Sequence, residues 1–94
     1  METIEKNQLI ADFLYGKNAI HPNQYHENWN ELMRAILAIG NKTGFTLVME
    51  ESTSYWVNMG EYLDDEPEFD GYRDIQNIFD AVVYFIQWYN QKNQ

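Results

Sequence analysis

Apolar positions near the start of the chain recur at helical spacing. Leu9, Ile10, Phe13 and Leu14 fall on one face, which predicts a helix over residues 3–15. Thr3 or Asn7 is placed to cap its start, and Gly16 to end it. Residues 17–24 hold Asn18, Pro22 and Asn23 and read as a connection. A second stripe, Trp29, Leu32, Met33 and Ile36, has the spacing i, i+3, i+4, i+7 and predicts a helix over residues 28–40. On this reading Trp29 fills the core. Asn28 followed by Glu31 has the form of a capping box. Gly40 and Asn41 end the helix, and Gly44 closes the loop after it.

The period then changes from helical to alternating. Phe45, Leu47 and Met49 alternate with Thr46, Val48 and Glu50, a strand pattern. Residues 51–54 are polar and turn-like. Tyr55, Val57 and Met59 then alternate with Trp56 and Asn58, giving a second strand that could run on to Leu63. A hairpin is the simplest link between the two. Residues 72–90 carry the strongest helical signal: Ile75, Ile78, Phe79, Val82, Ile86 and Tyr89 share one stripe, flanked by Ala81, Phe85 and Trp88. Tyr72 and Val83 widen the other edge. The apolar arc covers more than half of the circumference, so this helix is central, or else serves the hairpin on one face and a partner on the other.

The order is α-α-β-β-α, without internal repeats. A lone hairpin is marginal in water, so the strands must lie on the helices. The prediction is one α+β domain over residues 1–94, with an acidic loop at 60–71 and a long amphipathic C-terminal helix.

Charge adds the next constraint. Fifteen acidic residues against six basic ones leave a net charge of −9. Direct binding of nucleic acid needs lysines and arginines against phosphates, and the few present are scattered. Docking on an anionic membrane is disfavoured for the same reason. No stretch is long and apolar enough for a membrane span, and the charged start is unlike a secretory signal. The absence of cysteine excludes disulfides and thiol chemistry and favours a cytoplasmic home.

Three segments carry a resemblance: Leu9-Ile10-Ala11-Asp12-Phe13-Leu14, the run from Tyr25-His26-Glu27 through Asn28-Trp29-Asn30-Glu31-Leu32-Met33, and Ile78–Asn90. Together they resemble a group of small proteins of phages and other mobile elements of Bacteroidetes, with "IAEFM", "YHxSWDxLM" and "AVVEFIKWYN" segments in that order. About a third of the chain is covered. Arg34 stands where that pattern has proline, and Tyr84 and Gln87 stand where it has charged residues. The resemblance implies a mobile-element setting and no mechanism, and it transfers no catalytic residues.

The candidate chemistry is sparse. Residues 61–74 gather Glu61, Asp64, Asp65, Glu66, Glu68, Asp70 and Asp74 against the single base Arg73. Glu66, Glu68, Asp70 and Gly71 match the early positions of a calcium loop, but position twelve is Asn77 and Pro67 stiffens the first turn. The plainer role is a solvated loop whose last acids, Asp70 and Asp74, favour a helix N-terminus. A third role is an acidic surface that mimics phosphates and occupies a basic, nucleic-acid-binding protein. His21 and His26 lack a third metal ligand; His26 is expected to pack or hydrogen-bond locally at the start of the second helix. Ser52 and Ser54 lie in the expected turn, with no nucleophile elbow or phosphate loop. The aromatic count exceeds what a small core needs, which makes Tyr84, Phe85 and Trp88 candidates for an interface.

The resulting expectation is a non-enzymatic accessory protein without a cofactor or metal. It acts by protein–protein contact through Glu61, Asp64, Asp65, Glu66, Glu68, Asp70, Tyr84, Phe85 and Trp88. A homodimer through the last helix is as open as a foreign partner. The alternative is a small cation-binding or catalytic domain built on the 61–74 carboxylates.

Overall fold

The computed structural model describes residues 1–16, 24–49, 53–58, 68–70 and 74–92. The helices are α1 (Thr3–Tyr15), α2 (Trp29–Thr43) and α3 (Ile75–Lys92), and the strands are β1 (Phe45–Met49), β2 (Thr53–Asn58) and β3 (Glu68–Asp70). The α+β class and the α-α-β-β-α order are as expected, with β3 added between hairpin and last helix. The three antiparallel strands stand in the order β1-β2-β3. Glu68–Asp70, expected in the acidic loop, therefore pair along β2, with Glu68 opposite Tyr55 and Asp70 opposite Thr53. The continuation of β2 toward Leu63 falls outside the described residues.

Helix ends follow local chemistry. Asn28 caps α2: its Oδ1 accepts from the Glu31 N–H at 3.1 Å. Asp74 does the same for α3, accepting from the Asn77 N–H at 2.8 Å. At α1 the cap is Glu2, whose N–H donates to the Glu5 carboxylate at 3.1 Å, rather than Thr3 or Asn7. Helix α2 runs through Gly40 and stops only at Gly44. Gly44 holds φ +85°, the left-handed conformation that closes helices, and its N–H donates to the Gly40 carbonyl. Gly40 instead makes room for the next strand, since a Cβ there would stand 3.4 Å from the Phe45 carbonyl oxygen. Thr43 completes the turn into β1, donating to the Ile39 carbonyl at 2.7 Å and accepting from the Phe45 N–H at 3.1 Å.

In the β1–β2 register Phe45, Leu47 and Met49 stand opposite Asn58, Trp56 and Ser54. Opposite residues share a face, so one side of the sheet collects Phe45, Leu47, Ser54 and Trp56, all buried. Ser54 is thus a buried strand residue, not part of the turn. This face packs on α3. The Phe85 ring stacks on Trp56 at 4.2 Å between centroids and meets Phe45 at 5.2 Å. The same core takes in Ile10, Leu32, Ile39, Ile78, Phe79, Val82 and Ile86.

The three helices run in the same general direction. Lys6 of α1 pairs with Asp80 of α3 at 3.2 Å near their starts, and Phe13 meets Tyr89 edge-on at 5.7 Å near their ends. The turn before α2 packs beside Asn7 of α1, and Lys42 in the last turn of α2 lies over Phe13. Their dipoles therefore add, positive at one end of the helical layer and negative at the other. The sequence answers this with Glu5, Glu31 and Asp74 at the starts, and Lys42 and Lys92 at the ends.

Candidate functional site

The buried face of α2 consists of Leu32, Ala35, Ile36 and Ile39. At about 100° per residue, a second apolar stripe lies beside it. Its members are Trp29, Met33 and Leu37, at i, i+4 and i+8, and they are 42%, 36% and 68% exposed. The sequence pattern puts Trp29 in the core, with Met33 on the same buried stripe. Both instead face outward, because the core needs only the Leu32–Ile39 side. Trp29 opens the helix at the end where the acids gather, with Glu27 exposed two positions before it. Glu2, Glu5 and Asp74, from the starts of the two neighbouring helices, are exposed as well. These carboxylates come from three separate stretches of the chain and share one end of the helical layer because the helices run in parallel.

The interface residues expected from sequence divide into three groups. Glu61, Asp64, Asp65 and Glu66 lie outside the described residues, and Glu68 and Asp70 belong to β3. Tyr84 is on the surface of α3, 53% exposed, while Trp88 is half-buried with its ring edge-on to Phe45 at 5.5 Å. Phe85 is a correction: it is fully buried between Trp56 and Phe45 and has no surface for a partner. The hairpin lands on that side of α3, which turns the flank of the helix into core.

Among the described residues, two grooves border α3. One, of about 440 Å³, runs along Tyr84, Gln87, Trp88, Asn90 and Gln91. The other, of about 470 Å³, lies between Leu9, Asp12 and Phe13 of α1, Lys42 of α2, and Tyr89 and Asn90 of α3. In the second, the Lys42 ammonium stands 5.3 Å from the centre of the Phe13 ring. It supplies the positive charge that helix C-termini favour, so a structural role accounts for it.

His26 packs and hydrogen-bonds at the start of α2, as expected, but its main partners are not local: they lie on α1 and α3. Its Nδ1 is 3.0 Å from the Asn7 amide nitrogen, and its ring is tilted against Phe79 at 5.9 Å. Its Nε2 lies 3.7 Å from the Glu27 carboxylate. His21 falls outside the described residues. Among the described residues, no group of three or more His, Asp or Glu side chains is placed to hold a metal ion. No helix among them is long and apolar enough to cross a membrane.

No family model, curated protein or solved structure matches the chain.

The α2 stripe escapes sequence reading for a specific reason. Trp29, Leu32, Met33 and Ile36 fit a core stripe, and so do Leu32, Ala35, Ile36 and Ile39, at the same spacing. The distinguishing signal is Leu37. It continues Trp29 and Met33 by another turn, and the resulting apolar arc is wider than one packed face requires.

Proposed function

We propose that the chain is a non-enzymatic accessory protein that works by protein–protein contact, with α2 as its contact face. The observation that carries this reading is the exposed stripe Trp29, Met33 and Leu37. A tryptophan with two flexible aliphatic side chains in line along a rigid helix is the composition of an interface anchor. The partner is apolar at the centre of its contact and basic at its rim. The net charge of −9 and the exposed carboxylates of Glu2, Glu5, Glu27 and Asp74, at the end of the helical layer where the stripe starts, supply the complementary field. A basic nucleic-acid-binding protein has that rim, and occupying it would block phosphate binding. The resemblance of the helical segments to phage and mobile-element proteins supports a cytoplasmic host protein as the target.

The test is affinity capture from a host lysate by the wild-type chain and by a Met33→Asp/Leu37→Asp double variant. Leu37 is 68% and Met33 36% exposed, so the variant stays folded, and its melting temperature is measured beside the capture. The reading requires a basic protein held by the wild type, weakened by high salt and absent with the variant. Equal capture by both chains would remove α2 as the contact face.

A further inference from the structure

The groove between the three helices lies toward their C-terminal ends, on the flank of α2 turned away from the exposed stripe. At about 100° per residue, Lys42 leaves α2 on the side opposite Met33. It lines this groove of about 470 Å³, with its ammonium 5.3 Å from the centre of the Phe13 ring. We propose that the groove binds an organic cation of the alkylguanidinium type, which takes the place of the Lys42 ammonium on Phe13.

The argument starts from what the groove already holds. Lys42 is an alkylammonium seated on an aromatic face and supplied by the chain itself. A positive charge anywhere in the last turn of α2 answers the helix dipole, so that role does not require the ring. The ring contact is a separate and weak attraction between a cation and a π face. Lys42 is exposed, and among the described residues it has no ion pair or hydrogen bond. A second cation that binds the ring better displaces its ammonium into water at little cost.

The surroundings favour such a cation. The three helices run in parallel, so the negative ends of their dipoles act together here. Asp12 brings a half-buried carboxylate to the lining, its Oδ1 accepting from Gln8 at 2.8 Å. Phe13 of α1 and Tyr89 of α3 meet edge-on at 5.7 Å and, with Leu9, give the groove apolar area from two helices. A guanidinium suits this set better than the ammonium already there. It is planar and weakly hydrated, it stacks on aromatic faces, and its fork of N–H groups matches a carboxylate. The groove keeps its volume with Lys42 on the ring, and that volume lies within the range of small-molecule sites, about 300–1,000 Å³. An alkyl tail on the cation can therefore lie along Leu9 and the rings.

The test is a nuclear magnetic resonance titration of the full chain with butylguanidinium, butylurea and pentanoate in turn. The three share a butyl tail and differ in the charge of the head. The signals followed are the ring protons of Phe13 and Tyr89 and the ε-methylene of Lys42, which the Phe13 ring current displaces from its ordinary position. The comparison chain is Lys42→Gln; the position is exposed, so the variant stays folded, and its melting temperature is measured beside the titration. The expected result is a saturable shift of the ring signals with butylguanidinium, with the Lys42 methylene returning to its ordinary position as the groove fills. Lys42→Gln, which leaves the ring unoccupied, should bind butylguanidinium about fivefold more tightly. Four outcomes would overturn the proposal. They are no saturable shift with butylguanidinium, an equal affinity for butylurea, a higher affinity for pentanoate, which would make Lys42 an anion site, and unchanged or weaker binding in Lys42→Gln. None of these readouts involves the α2 stripe, so the proposed contact face stands or falls separately.

Discussion

The side-chain amide of Asn7 joins α1 to the turn before α2, with its nitrogen 3.0 Å from Nδ1 of His26. Two other bonds fix which way that amide points. Its nitrogen donates to the Thr3 carbonyl at 3.1 Å, and its oxygen accepts from the Tyr25 N–H at 2.9 Å. The nitrogen therefore faces the imidazole, so Nδ1 of His26 is the acceptor and the ring proton of the neutral form sits on Nε2. Nitrogen-15 spectra of the imidazole at neutral pH should show the Nε2–H tautomer. A ring protonated on Nδ1 would contradict the assignment.

Asn7 itself should be costly to replace. It is only 6% exposed, and Asn7→Leu leaves the buried Tyr25 N–H without its acceptor. An orphaned buried donor costs about 1–3 kcal/mol. With the lost bonds to Thr3 and His26, the expected destabilisation is about 2–3 kcal/mol. Urea unfolding should show a lower midpoint at an unchanged slope. A loss well below about 1 kcal/mol would show that the clamp contributes little.

Neighbouring positions on α3 should respond in opposite ways. Phe85 is fully buried against Phe45 and Trp56, so Phe85→Ala should destabilise by about 3–5 kcal/mol. Tyr84 is 53% exposed, and Tyr84→Ala should stay within about 0.5 kcal/mol of wild type. Thermal melts of the two variants separate the core ring from the surface ring.

The two glycines near the end of α2 should also differ. Gly44 has φ +85°, and a Cβ there would lie 3.3 Å from Asn58 Oδ1, so Gly44→Ala should cost about 1 kcal/mol or more. Gly40 is inside the helix, where alanine gains about 1 kcal/mol of propensity. The 3.4 Å approach to the Phe45 carbonyl offsets part of that gain, so Gly40→Ala should be close to neutral. Chemical denaturation of each variant gives the comparison.

The fold is legible in the sequence wherever the hydrophobic period is strong. Helix α1 matches its expected bounds, β1 and β2 follow their alternation, and Asn28 and Asp74 act at the helix starts where their chemistry places them. Differences arise where two local signals compete. Gly40 resembles a helix stop as much as Gly44 does, and only the close approach of Phe45 explains why it lies inside the helix. Glu68–Asp70 is short and acidic, and its pairing with β2 is a long-range fact that no local pattern encodes. The site is less legible than the fold. Tyr84 is a surface ring as its place off the main stripe implies, but Phe85 beside it is core, and the exposed stripe lies on α2. The acidic end of the helical layer draws Glu2, Glu5, Glu27 and Asp74 from three separate stretches, so only the parallel arrangement of the helices reveals it.

The central claim is that the chain acts through the α2 stripe, and site-specific photo-crosslinking in cells tests it most directly. A crosslinking residue is placed at Leu37, 68% exposed on the stripe, and in a second chain at the exposed Gln76 of α3. The account predicts one discrete adduct to a basic protein from position 37, lost when Met33→Asp is added, and none from position 76. The same adduct from both positions, or from position 76 alone, would contradict it.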